Sequence, residues 1–268
     1  MNESPTSLLI AAPLRDRVLP GSRLWSDVNV VTETGSTNED LIAAARGGAT
    51  EGTVLVAERQ TRGRGRLGRQ WVSEPGAALT FSVLLRPAGV PPASRGWLPL
   101  LAGVAVAAGI RAQTGLDVSL KWPNDVLTPG GKLAGILGEQ TGDAVVVGIG
   151  LNVGDLPASV PGGTATSLAV MGATGVDRSG LLAAILREFE HWYRRWIDAS
   201  PPGDAVSSGL RAEYLRSCAT VGMQVRVELP GGAILAGRAC DVDAVGRLLV
   251  AAPDGVEPVS AGDVIHVR

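Results

Sequence analysis

The stretch Trp97–Thr114, WLPLLAGVAVAAGIRAQT, limits what this chain can fold into more than any other. It is apolar from Trp97 to Ile110, and Gly115 ends it. A helix with no polar face has to be buried. The apolar run is also too short to span a bilayer core of ~30 Å, so it reads as the central helix of a folded core and not as a membrane anchor. The composition can supply that core: 45% of the 268 residues are hydrophobic and 19% charged, which argues against extensive disorder. The length suits one large domain, or one domain plus a small module.

Around the buried helix the pattern mixes strands and helices without regular βαβ alternation, an α+β arrangement. The first two dozen residues, broken by Pro5, Pro13 and Pro20, predict a strap or short helix. Strands are expected at Asp27–Thr32, Thr53–Glu58, Leu79–Arg86 and Val118–Trp122, and as a pair at Lys132–Glu139 and Ala144–Ile149. Ser36-Thr37-Asn38-Glu39 has capping-box spacing, with Ser36 accepting from the Glu39 N–H and Glu39 reaching back. It opens a helix that stops at Gly47-Gly48. Asp177–Ile197 and Ala205–Ser217 are helical by period. Beyond residue 220 the texture changes to short strands, at Val221–Leu229, Ile234–Val242, Arg247–Ala251 and Val259–Val267, separated by Gly-containing turns. This predicts a small SH3-like β-barrel over 221–268 after a larger domain over 1–220.

Between Arg59 and Arg69 the chain places five arginines, three glycines and no acid, within a protein of formal net charge -2. Such a segment cannot build a core, and its self-repulsion predicts mobility until an anion arrives. Alternating Gly and Arg lets backbone N–H groups and guanidinium forks close around a phosphate. Gly63-x-Gly65-x-x-Gly68 is no dinucleotide fingerprint, because no helix begins inside it. RNA binding of the Arg/Gly type calls for longer repetition and more stacking aromatics than Trp71 alone. Three further segments stand out: Lys121-Trp122-Pro123-Asn124-Asp125, Gly131-Lys132-Leu133-Ala134-Gly135-Ile136-Leu137, and Gly148-Ile149-Gly150-Leu151-Asn152. A lysine leading an apolar strand aims one positive charge at a ligand. Two glycines in a strand permit close backbone approach, and Asn152 offers a donor and an acceptor.

Other features read as structure. Phe189, Trp192, Tyr193 and Trp196 recur at helical spacing as a core stripe. His191 and His266 are isolated, and Cys218 and Cys240 read as small apolar fillers suited to a reducing cytoplasm. No metal-ligand spacing, Walker loop, Ser-His-Asp order or signal peptide is apparent, so metal ligands stay unassigned.

With Gly-Ser-Thr-Asn at 35–38, these motifs occur in an order that resembles biotin–protein ligases. The resemblance implies a mixed-sheet catalytic domain of the class II synthetase type, a small C-terminal β domain, and ATP with Mg²⁺ as co-substrate. Biotin would be activated as biotinyl-5′-AMP and passed to a lysine of a carboxylase's biotin carboxyl carrier domain. It further implies Arg64, Arg66 and Lys132 as the charges that assist the chemistry. Ser36, Thr37, Asn38, Gln60, Arg64, Gly65, Arg66, Lys132 and Gly135 would line the biotin site. Arg66, Trp71, Asn124, Lys132 and Asn152 would line the nucleotide side, with Trp71 near the adenine. The residues before the first strand are too few for the DNA-binding domain that some members carry, so the resemblance is to the monofunctional class, with no nucleic-acid or membrane partner. The oligomeric state is undecided. Leu67 stands where many members have another arginine. The rival readings are a lipoate–protein ligase of the same fold and a non-enzymatic polyanion- or RNA-binding module.

Overall fold

The structure is a computed structural model that describes residues 8–156 and 164–267; the first seven residues of the expected strap lie outside them. A seven-stranded sheet carries β1 (Asp27–Thr34), β2 (Thr53–Gln60), β3 (Ala78–Leu85), β4 (Ser119–Lys121), β5 (Asp125–Thr128), β6 (Gly131–Thr141) and β7 (Ala144–Asn152). Their order is β1-β2-β3-β7-β6-β5-β4. Only β1 and β2 pair in parallel; the other neighbours are antiparallel.

One face of this sheet holds the main core. Helices α1 (Ala11–Val18), α3 (Trp97–Thr114) and α4 (Arg178–Ile197) pack together there. Helix α3 is buried from Trp97 to Ile110 at every position except Pro99 and Ala108, as its composition requires. With its 3₁₀ lead-in it extends over Pro92–Thr114, which by length and composition alone could cross a membrane; 67% of an 18-residue window within it is buried inside the protein. The aromatic stripe of α4 behaves as expected, with Phe189, Tyr193 and Trp196 all buried.

The other face carries α2 (Thr37–Arg46), which covers a small second cluster of Leu41, Ala45, Leu55, Leu84, Ala144 and Val146. Strand alternation shows where that cover ends. On β7 the odd positions Val145, Val147, Ile149 and Leu151 enter the main core. The even positions run Val146, Gly148, Gly150, Asn152, from apolar through glycine to polar. Neighbouring strands repeat the trend, since Ser82 and Leu137 flank Gly148 while Thr80 and Gly135 flank Gly150. Ten residues of α2 reach only part of this face. The remainder is open floor.

Helix α5 (Leu210–Ser217) leads into a second sheet of β8 (Gln224–Glu228), β9 (Ile234–Val242), β10 (Leu248–Ala252), β11 (Gly255–Val259) and β12 (Asp263–Val267). Its order β11-β10-β9-β8-β12 is antiparallel and leaves β11 and β12 as edges. Two tryptophans fasten the β9–β10 turn of this small sheet to the larger part of the fold: Trp97 Nε1, at the start of α3, donates to Ala244 O (2.9 Å), and Trp122 Nε1, between β4 and β5, donates to Gly246 O (3.0 Å).

Three local expectations need correction. Ser36 is the N-cap residue of α2 but makes no side-chain cap bond. Gln60 Oε1 takes the Thr37 N–H instead at 2.7 Å, and Glu39 turns outward to Arg62 and Arg64 (3.8 and 3.5 Å). The helix expected from Ala205 begins at Leu210, because Gly209 adopts φ +81° just before it. Gly255–Val259 forms a strand of its own, where the sequence suggested a turn before one longer strand.

Candidate active site

A cavity of about 580 Å³ opens on the uncovered floor, between the N-terminus of α2, the Arg/Gly loop, the β4–β5 hairpin and the inner edge of β12. All of the residues proposed from sequence line it: Ser36, Thr37, Asn38, Gln60, Arg64, Gly65, Arg66, Trp71, Asn124, Lys132, Gly135 and Asn152. Residues up to 116 positions apart in sequence converge because α2 begins over β7, β2 feeds the loop, and β6 and β7 are neighbours.

The Arg/Gly loop is built rather than formless. Trp71 N–H donates to Gly63 O (2.9 Å), Gly65 N–H to Arg69 O (2.7 Å) and Arg69 N–H to Arg66 O (3.1 Å), closing a small hairpin. Its tip residue Leu67 sits at φ 55°, ψ 36° and is 65% exposed. That left-handed conformation costs a non-glycine residue roughly 1–2 kcal/mol.

The expectation that only an incoming anion relieves the loop's repulsion is wrong, because the fold supplies acids from elsewhere. Arg59 pairs with Glu33 (2.7 Å), Arg62 with Glu39, and Arg64 with Glu39 and Glu139 (2.8 Å to the latter). Arg69 pairs with Asp263 of β12. Arg66 differs: its hydrogen-bond acceptors are neutral, Asn124 Oδ1 (3.1 Å) and Gly262 O (3.2 Å). Burial pushes its pKa below the usual arginine value, with Asp125 and Asp263 pulling the other way and Arg69 adding to the decrease. A desolvated cation whose direct bonds are all to neutral acceptors, with carboxylates acting only from beyond ion-pair distance, gains most from an anion. Arg66 is therefore the loop's anion-seeking charge.

The Lys132 side chain runs over Gly135 of its own strand to Asp125 Oδ1 on neighbouring β5, at 2.7 Å. Its backbone is held by residues 164–166, through Lys132 N–H to Thr164 O and Thr166 N–H to Lys132 O (both 2.9 Å). Asn152 Nδ2 donates to Thr166 O (2.9 Å) and secures that segment. Asn124 bolts its hairpin to β6 through Ile136 O (3.1 Å) while holding Arg66. Trp122 is buried away from the cavity and pins the C-terminal sheet, which explains why a tryptophan sits in that turn.

The strand glycines admit side chains of the protein itself. A Cβ on Gly148 would lie 2.2 Å from Asn38 Oδ1, and one on Gly150 would lie 2.3 Å from Trp71 Cε2. Trp71 thus lies flat on the floor over Gly150 and beside Gly135. Its Nε1, like Thr80 Oγ1 in the same wall, is buried with no hydrogen-bond partner among the described residues. Polar atoms orphaned in a cavity wall are groups that a bound water or ligand can satisfy.

Sequence reasoning missed several contributors. Ser82, with Thr80 one of two hydroxyls in the fully buried strand β3, is an anomaly visible in principle. Glu39, Glu139 and Asp263 carry no local sign of their arginine partners. Lys121 and His266 also line the cavity. Burial and the nearby Lys121 push the His266 pKa below the usual histidine value. Among the described residues, no group of three or more His, Cys, Asp or Glu is placed to hold a metal ion.

The profile of the biotin/lipoate A/B protein ligase family matches residues 31–154, and that of the biotin protein ligase C-terminal domain matches 220–267. The chain belongs to this family. It is 44% identical to the biotin–[acetyl-CoA-carboxylase] ligase of Mycobacterium tuberculosis, over 95% of this chain and 94% of that one. It is 34% identical to the bifunctional ligase/repressor BirA of Bacillus subtilis, over 94% of this chain and 76% of that one. Among solved structures, the Aquifex aeolicus biotin protein ligase in complex with biotin and ATP matches with a TM-score of 0.72 and 28% identity, over 91% of this chain and all of that one.

Proposed function

We propose that this chain is an ATP-dependent ligase that activates biotin as biotinyl-5′-AMP and transfers it to a lysine of a biotin carboxyl carrier domain of an acyl-CoA carboxylase. The observation that carries the reading is Arg66, the one loop arginine whose bonded partners are all neutral, lining a single cavity together with Lys132. The biotin carboxylate attacks the α-phosphorus of ATP and pyrophosphate leaves. The lysine amine of the carrier then attacks the acyl carbon of the mixed anhydride and AMP leaves. Both reactants of the first step are anions, so Arg66, Lys132 and Arg64 offset their repulsion and stabilise charge on the phosphoryl oxygens. No enzyme nucleophile is required.

In this reading Ser36, Thr37, Asn38 and Gln60 meet the polar ring of biotin, and Gly65 and Gly135 border the path of its aliphatic tail beside Lys132. Trp71 offers its face to the adenine, with Asn124 and Asn152 flanking the nucleotide. Mg²⁺ would serve as the counter-ion of the ATP phosphates, in keeping with a cavity whose two lining carboxylates, Asp125 and Asp263, are already paired with Lys132 and Arg69. We divide the chain at 220/221, beside the start of the second sheet's family match at residue 220, and place the enzyme in the cytoplasm, in keeping with free Cys218 and Cys240. The test is ATP–pyrophosphate exchange. Exchange driven by biotin and not by lipoate is expected; exchange driven by lipoate alone would transfer the chain to the other branch of its family, and none with either would refute the adenylation chemistry.

A further inference from the structure

The inner wall of the cavity holds a chain of polar groups whose proton directions are set from behind. Asn38 Nδ2 lies 2.7 Å from Glu139 Oε2 and 3.2 Å from Leu137 O, both pure acceptors. The amide is thereby fixed, and Oδ1 accepts the Ser82 hydroxyl at 2.6 Å. Ser82, fully buried in β3, has one proton and has spent it. Its oxygen therefore accepts from Thr37 Oγ1, 2.7 Å away. Thr37 Oγ1 also lies 3.0 Å from Gln60 Oε1, which already receives the Thr37 N–H. Three contacts compete for two hydroxyl protons. Glu139 decides which goes without: the one between Thr37 Oγ1 and Gln60 Oε1, whose two residues line the cavity. Arg64 holds Glu139 in place with bonds of 2.8 and 3.0 Å to its two oxygens.

We infer that Glu139 and Ser82 are positioning residues that fix the hydrogen-bond polarity of the ring subsite, making Thr37 and Gln60 present paired acceptors to an N–H of a cyclic urea. The inference rests on the biotin reading above and deepens it, because it states which feature of the ring is selected. In Glu139→Gln, the introduced amide keeps its oxygen toward Arg64 and offers its nitrogen to Asn38. The Asn38 amide then turns over at the expense of its Leu137 contact, Ser82 donates to Thr37, and Thr37 donates to Gln60. The wall no longer asks for a donor. Ser82→Ala frees the Thr37 proton by a separate route.

The experiment is calorimetric titration of the full chain with biotin and with the two cyclic carbamate analogues in which ring oxygen replaces one ureido N–H. The wild-type protein is expected to bind one regioisomer roughly 10–100-fold more weakly than biotin, the effect of leaving buried acceptors unpaired. Glu139→Gln and Ser82→Ala are each expected to shrink that ratio to a few-fold. A merely structural role lowers both affinities by one factor and keeps the ratio, so an unchanged ratio in both variants overturns the inference. Melting curves identify a variant that fails to fold, and the other variant then decides. Wild-type protein that binds no biotin would instead overturn the functional reading itself.

Discussion

Glu58→Gln tests how the cavity's supporting frame is held. Glu58 ends the buried part of β2, one residue before the Arg/Gly run, and its side chain is 2% exposed against 3% for Arg178. Its Oε1 receives Leu9 N–H (2.6 Å) and Arg178 NH2 (3.0 Å), and Oε2 receives Gly76 N–H (3.2 Å) and Arg178 NH1 (2.9 Å). One carboxylate thus ties the N-terminal strap, the far end of the loop and the start of α4. Glutamine removes the charge and sets an NH2 group against two of the donors. Breaking a buried pair by altering one partner costs about 3–5 kcal/mol, which for a chain of this size lowers Tm by roughly 10 °C. Urea denaturation followed by tryptophan fluorescence reads the loss. The double variant Glu58→Leu with Arg178→Met removes both charges and is expected to recover part of it, the unpaired Leu9 and Gly76 N–H groups keeping the remainder. A loss below about 1 kcal/mol in the single variant, or a double variant no better than the single, would refute the assignment of this pair as a desolvated anchor.

Three more outcomes follow from the site. Arg66→Gly still forms the adenylate but releases it about 10–100-fold faster, the effect of losing one charge-assisted clamp; free adenylate in the filtrate after a single turnover measures it. Gly150→Ala places a methyl inside the Trp71 indole and displaces it, so trypsin cleavage between Arg62 and Arg69 accelerates, while unchanged cleavage would mean that the indole does not rest on the floor. His266 has a lowered folded-state pKa, so the unfolded chain binds more protons below the ordinary histidine value of 6.5. Its contribution is therefore a stability that declines as pH falls below 6.5 towards the folded value and is flat above it. Denaturation midpoints of wild type and His266→Gln between about pH 5 and 8 are expected to converge at the acid end.

Much of the molecule is written in local pattern. The buried helix Trp97–Thr114 follows from eighteen consecutive residues, the alternation along Ala144–Asn152 separates core from floor, and the ordered motifs are enough to assemble the cavity's lining. These signals survive in sequence because periodicity, glycine placement and apolar runs act between residues a few positions apart. What tertiary structure alone decided is charge pairing and proton direction. Arg64 finds Glu139 75 residues away and Arg69 finds Asp263 194 residues away, which turned a self-repelling loop into a closed hairpin. Trp122 serves the C-terminal sheet, and the glycines make room for Asn38 and Trp71. Each outcome depends on which groups the topology sets within about 3 Å of one another, and no spacing along the chain encodes that. The sequence determined that an anion site would form on this face. The fold determined that Arg66 would be its unbalanced charge.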